Sequence, residues 1–269
     1  MFFKKLCAAA AMMTVAASSF AGDLVINGST TVLPIVQKAT EAFAKENPQV
    51  SVSLSGGGSG NDIKALVDGL TTIAMSSRDI KASETALAKK NNITPYRIAV
   101  AVDAIVPIVH NGNAVKSLSM AQLKSIYEGK IKNWKEVGGE DAAIVVVSRD
   151  SSSGTFETWE ELVMKKARVT PRALLQTSNG TVVQTVAKNK NAIGYIGIGY
   201  VDNQTQALVI DGKKATAESA KSKTWPLARE LYFFTNGEPK GDAKLFVDYM
   251  LDPAKGQKCV SETGFVPLK

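Results

Sequence analysis

From residue 24 onward, short apolar runs alternate with stretches in which apolar residues recur every three or four positions. Leu24-Val25-Ile26 has the length of a short strand. Val32, Ile35, Val36, Ala39 and Phe43 then share one face of a helix that Asn47-Pro48 stops. Val50, Val52 and Leu54 alternate with Ser51 and Ser53, which predicts a strand with one polar face. Ile63, Leu66, Val67 and Leu70 mark a second helix, and Ile73-Ala74-Met75 a brief buried strand. This β-α-β-α-β order predicts a parallel sheet with helices on its faces. The apolar run 98–109 follows, long enough to pass from one lobe to another. Beyond it come a helix opening at Leu118 with Ser119 as its cap, a strand over 143–147, a helix over 156–165 and a helix from Asn179. A strand at 193–195, a return strand at 231–234 and closing helices around 243–250 and 253–260 complete the pattern. The polar stretch 202–224 is expected to be surface connection. No tandem repeat interrupts the alternation.

Three of the strand-to-helix junctions are built alike. They read Gly28-Ser29-Thr30-Thr31, Gly56-Gly57-Gly58-Ser59-Gly60 and Arg149-Asp150-Ser151-Ser152-Ser153-Gly154-Thr155. Each sets small hydroxyls and free backbone N–H groups at a positive helix end, the chemistry of an oxyanion site. Any one of them is equally an ordinary N-cap. Three in one chain, the third led by an Arg, point to a shared anion. In open α/β sheets, ligands sit beyond the carboxyl ends of the strands, where these loops lie. Arg149 offers two parallel donors to an oxyanion, with Asp150 expected to orient it. Arg78 fits either a ligand contact or an interlobe salt bridge. Asn179 reads as a helix cap, and Trp134, Trp159 and Trp225 as core or lobe-surface residues.

The chain starts with the basic segment Met1-Phe2-Phe3-Lys4-Lys5 and an apolar run over 6–17. Ser19-Phe20-Ala21 then supplies the small residues of a signal-peptidase site. A secretory signal over 1–21, cleaved before Gly22, is expected; the run is too short for a membrane span. Losing Lys4 and Lys5 with the signal takes the formal charge from +7 to +5. That suits an anionic ligand and is too mild and too evenly spread to argue for nucleic acid. Cys7 lies in the signal, leaving Cys259 without an intramolecular disulfide partner.

Enzyme chemistry finds little to stand on. His110 is the only histidine, at the end of an apolar strand, so a Ser-His-Asp triad has one place to form. The 56–60 glycines fit neither a nucleotide P-loop nor a dinucleotide fingerprint. No metal-ligand spacing occurs, and no catalytic residue, metal or cofactor is expected. A secreted phosphoryl-transfer enzyme with Ser153 or Thr155 as nucleophile remains the alternative from another class.

Taken together, the residues resemble a known family over essentially all of the chain after the signal. The match includes Gly28-Ser-Thr-Thr-Val-Leu-Pro34, Gly58-Ser-Gly60, Met75-Ser-Ser-Arg78, Arg149 through Thr155 and Asn191-Ala-Ile-Gly-Tyr195. It extends to Trp225-Pro-Leu-Ala-Arg229 and the ending Gly256-Gln257…Gly264-Phe265-Val266-Pro267. The family is that of the periplasmic phosphate-binding proteins of the phosphate-specific ABC importer, in their shorter form. The resemblance implies an α/β, two-lobed binding protein of type II, each lobe a mixed sheet flanked by helices, with the ligand in the interlobe cleft. Expected lobes are 22–104 with 205–269, and 105–204. It further implies a periplasmic monomer that binds inorganic phosphate with high affinity and delivers it to inner-membrane permease subunits. The phosphate-binding residues it implies are Ser29, Thr30, Thr31, Ser59, Ser77, Arg149, Ser153, Gly154 and Thr155. One position departs: the best-known form has Ser-Asp after the third strand, its Asp accepting a proton from phosphate, and here Ser77 takes that Asp's place. A hydroxyl can accept as well as donate, and Asp79 and Asp150 are spare acceptors. Sulfate, molybdate or tungstate is the alternative ligand.

Overall fold

The computed structural model describes residues 24–269; the expected signal over 1–21 lies outside them. Five of the first six elements follow the predicted alternation: β1 (Leu24–Gly28), α1 (Leu33–Glu46), β2 (Val52–Gly56), α2 (Ser59–Val67), β3 (Ile73–Ser76) and α3 (Ala82–Lys90). The exception, α3, escapes prediction because its apolar face is thin, with Ala88 its only buried residue. Helix α2 ends at Val67, and Leu70, read as part of its apolar face, is 71% exposed.

The long strand β4 (Pro95–His110) leads into β5 (Ser117–Leu118), α4 (Met120–Tyr127), β6 (Val145–Arg149), α5 (Gly154–Leu162), β7 (Leu174–Gln176), α6 (Asn179–Ala187) and β8 (Ala192–Gly197). Then come β9 (Thr205–Ala207), β10 (Val209–Ile210), α7 (Ala217–Lys221), β11 (Ala228–Asn236), α8 (Gly241–Leu251) and α9 (Gly256–Glu262). Ser119 caps α4 as expected, accepting from the Gln122 N–H at 3.1 Å. His110 ends β4, its Nδ1 accepting from the Gly112 N–H at 2.9 Å.

Strand order is β2-β1-β3-β11-β4-β8-β6-β7, with β9 also on β4. β1 pairs in parallel with β2 and β3, as predicted, and β11 enters antiparallel between β3 and β4. β4 changes partners along its length. Up to Ala104 it pairs with β11, and from Ile105 it pairs with β8 and β9. One apolar core, with Ile26, Val36, Phe43, Met75, Phe233 and Phe246, lies on one side of that change. Another, with Ile108, Leu123, Trp134, Val147, Trp159 and Ile193, lies on the other. The molecule is thus two α/β lobes joined through β4 and the start of β11.

The return to the first lobe comes later than the expected residue 205. β9 pairs with the second half of β4, and Leu208, Ile210, Ala220, Trp225 and Leu227 pack in the second core. The 202–224 stretch is therefore more than surface connection: its few apolar residues, spaced too widely to show a period, are pinned under the second lobe. All three tryptophans are buried in that core, Trp159 stacked on Tyr195 with ring centroids 4.1 Å apart.

Candidate functional site

The sheet order brings the N-terminal ends of α1, α2, α5 and α6 to the seam between the lobes. Thr31, before α1, lies 2.9 Å from Thr155 in the first turn of α5, oxygen to oxygen. Asn179, which opens α6, donates from Nδ2 to Thr31 Oγ1 at 3.0 Å. Gly154 meets α2: a methyl added there would come within 2.4 Å of Ser59 Oγ and 2.7 Å of Ser77 Oγ. Only a residue without a Cβ lets the two loops approach this closely. Neither α1 nor α2 has a side-chain cap; in α1 the Leu33 and Ile35 N–H groups go to the Ser29 and Val32 carbonyls and Pro34 has none, so the spare first-turn donor is the Ser59 N–H of α2. Four positive helix ends at one point make a strong anion cradle.

Arg149, at the end of β6, is 2% exposed. Its Nε donates to the Gln176 carbonyl at 3.0 Å, and its Nη2 to the Thr177 carbonyl at 2.9 Å and to Thr30 Oγ1 at 3.1 Å. Nη1 is buried with no hydrogen-bond partner. Burial pulls the guanidinium below its usual value, yet an arginine starts so high that it stays cationic. A buried cation with one donor nitrogen unpaired is unfavourable unless an anion completes it. Asp150 does not orient Arg149, contrary to expectation. Its Oδ1 accepts from the Ser152 N–H at 2.9 Å and from the Ser152 hydroxyl, folding the loop on itself, while backbone carbonyls of 176–177 hold the arginine.

The expected site residues fall into two touching groups. Thr30, Thr31, Arg149 and Thr155 form one, and Ser59, Ser77 and Gly154 the other; all are buried. The Ser77 N–H donates to Ser59 Oγ at 3.1 Å, and the two hydroxyl oxygens are 3.3 Å apart. Ser29 and Ser153 bond inside their own loops, accepting from the N–H of Thr31 at 3.1 Å and of Phe156 at 3.3 Å, and leave their hydroxyl protons free. Asp79 is exposed and paired with Arg97, so it lies away from this cluster.

Arg78 resolves to an interlobe ion pair. It forks onto Glu84 at 2.7 and 2.8 Å and reaches Glu157 of α5 in the other lobe. Sequence reasoning missed two residues with buried side chains beside the site, Asp103 and Arg229, and read Asn179 as a cap alone. Arg229 Nη2 lies 2.7 Å from Asp103 Oδ2 and donates to Thr155 Oγ1 at 2.9 Å. Burial holds the Asp103 carboxyl above its usual range against the pull of Arg229, and pulls the Arg229 guanidinium down. Among the described residues, no group of three or more His, Cys, Asp or Glu could hold a metal, and no helix is long and apolar enough to cross a membrane.

A two-lobed α/β protein with a charged, donor-rich seam is the architecture of a solute-binding protein, and comparison with known proteins agrees. Residues 14–254 match the model of the PBP superfamily domain. Phosphate-binding protein PstS of Bacillus subtilis is 33% identical over 248 residues, which span 92% of this chain and 81% of that protein. PstS of Borreliella burgdorferi is 31% identical, across 91% and 89% of the two chains. A Clostridium perfringens protein described as a phosphate ABC transporter substrate-binding protein, crystallised with bound phosphate, superposes with a TM-score of 0.86. It is 36% identical over 92% of this chain and all of its own. An ABC-type phosphate transport receptor from Vibrio cholerae gives a TM-score of 0.75 at 31% identity, over 91% and 99% of the two chains. The chain belongs to the PBP superfamily and, within it, to the PstS family of phosphate-binding proteins.

Proposed function

We propose that this protein binds inorganic phosphate between its lobes with high affinity, as a periplasmic monomer, and delivers it to the permease subunits of an ABC importer in the inner membrane. The observation that carries the reading is Arg149: a buried guanidinium with an unpartnered Nη1, set among four helix N-termini. In this reading Nη1 binds the anion while Nη2 holds Thr30, with hydroxyls of Thr30, Thr31, Ser59, Ser77 and Thr155 and the first-turn N–H groups near Gly154 completing the shell. Ser29 and Ser153 hold their loops and offer their hydroxyl protons. The lobes are 24–104 with 228–269, and 105–227, hinged where β4 and β11 cross. Ligand contacts from both lobes favour the closed state by that difference alone.

A second reading, another oxyanion, draws support from the carboxylates. Asp103 is engaged by Arg229 and Asp150 by Ser152, so proton acceptance from phosphate falls to the Ser59–Ser77 hydroxyls. Calorimetric titration with phosphate, arsenate, sulfate and molybdate separates the two. Phosphate binding tightest at one site per chain is expected; a site that ignores phosphate but takes up sulfate or molybdate overturns the first reading. A chromogenic phosphate ester incubated with the protein should show no turnover, because among the described residues the partners of Thr155 Oγ1 are Arg229 and Thr31 and that of Ser153 Oγ is the Phe156 N–H, none of them a base.

A further inference from the structure

Asp103 and Arg229 face each other in register on β4 and β11, the two strands that cross between the lobes. Arg229 Nε and Nη2 reach Asp103 Oδ2 at 2.8 and 2.7 Å, and Asp103 Oδ1 accepts from the Ile198 N–H at 2.9 Å. From there the contacts run in a ring. Arg229 Nη2 donates to Thr155 Oγ1, Thr155 meets Thr31, and Asn179 Nδ2 donates to Thr31. Asn179 Oδ1 accepts from the Gly197 N–H at 3.1 Å, the residue before Ile198, which closes the circuit. The orientation of the Asn179 amide follows from that contact, since its oxygen must face the Gly197 N–H.

The ring fixes which way the two threonine hydroxyls can point. Thr155 Oγ1 already accepts from a guanidinium, and Thr31 Oγ1 from an amide. Each keeps one proton to donate. Across their 2.9 Å contact only one of them can donate to the other. The other proton has no acceptor within the ring and needs an oxygen outside it.

We infer that Asp103 and Arg229 are positioning residues of the anion site: they hold the Thr155–Thr31 hydroxyl pair so that one of its two protons is left to donate to the anion, in an arrangement assembled from both lobes. The inference rests on the phosphate reading above and names how the hinge serves it. Thr31 comes from one lobe and Thr155 and Asn179 from the other, with the ion pair on the hinge strands. Opening the lobes separates Thr31 from Thr155 and breaks the ring.

The test is a double-mutant cycle on phosphate affinity, measured by calorimetry on the full chain with Arg229→Lys, Thr155→Val and both together. Lysine keeps the charge but cannot serve Asp103 and Thr155 with one planar fork. Each single change should weaken phosphate about tenfold, and the pair little more than either alone, because Arg229 acts through the Thr155 hydroxyl. A residue that only supported the fold would show no such coupling, while lowering the melting temperature of the ligand-free protein in step with affinity. Losses that multiply to about a hundredfold, or an Arg229→Lys variant that binds as the parent does, overturn the inference. If Arg229→Lys does not fold, Asp103→Asn takes its place in the cycle with the same expected coupling. A parent that binds no phosphate overturns the functional reading instead, and the same cycle run with the oxyanion it does bind then tests the positioning role separately.

Discussion

Replacing Arg149 by alanine removes the one cation of the site with a donor to spare. Nη1 is unpartnered and carries two N–H groups, while the two protons of Nη2 go to the Thr177 carbonyl and Thr30 Oγ1, so the two Nη1 donors face the anion. A hydrogen bond to a charged group contributes about 1.5–3 kcal/mol, so losing two costs about 3–6 kcal/mol in binding. That is two to four powers of ten in affinity, on the order of 1.4 kcal/mol for each. Thr30→Val, by contrast, removes a neutral bond of about 0.5–1.5 kcal/mol, roughly tenfold at most. Arg149→Ala also leaves the Gln176 and Thr177 carbonyls without their donor, at about 1–3 kcal/mol. Relief from burying an incompletely paired cation offsets part of that. The ligand-free variant should therefore melt within a few degrees of the parent, and calorimetry should find its phosphate affinity reduced at least a hundredfold. A folded Arg149→Ala protein within twofold of the parent would refute the assignment of Arg149.

Small-angle scattering should show compaction on adding phosphate; an unchanged radius with binding confirmed contradicts hinge closure. Ser77→Asp should weaken sulfate relative to phosphate, since Arg78 is already held by Glu84 and Glu157 and is not free to neutralise the new carboxylate. An unchanged ratio in competition titrations would mean that Ser77 does not face the ligand. Asp62 Oδ2 is buried without a partner, beside Gly57, and burial lifts the carboxyl to about 6. A raised acid binds its proton more tightly in the folded state. Its burial thus costs little below the unfolded value near 4 and most above about 6, so stability falls as pH rises through that window. Asp62→Asn should raise the melting temperature at pH 7.5 and change it little at pH 4; an equal effect at both would contradict the account.

The parts of the candidate site that lie in one loop were legible, because Gly, Ser and Thr at a strand-to-helix junction announce donors whatever the tertiary context. So was the strand shared by the two lobes, since β4 is apolar past the length one lobe needs. What stayed hidden depends on distant registry. Asp103 and Arg229 are 126 positions apart and meet only because β11 inserts beside β4. Asn179 does open a helix, but Ser178 is its cap, which leaves the Asn179 side chain to cross the seam to Thr31. Asp150, next to Arg149 in sequence, folds back on Ser152, so adjacency along the chain misled about what orients the arginine.

The most direct test of the central claim is a crystal structure of the protein grown with phosphate. The account predicts one phosphate at the seam, at the N-termini of α1, α2 and α5, with an oxygen on Arg149 Nη1 and others on the Thr30–Thr31, Ser59 and Ser153–Thr155 loops. Phosphate bound at full occupancy elsewhere, or contacting one lobe only with Arg149 Nη1 still unpaired, would contradict it.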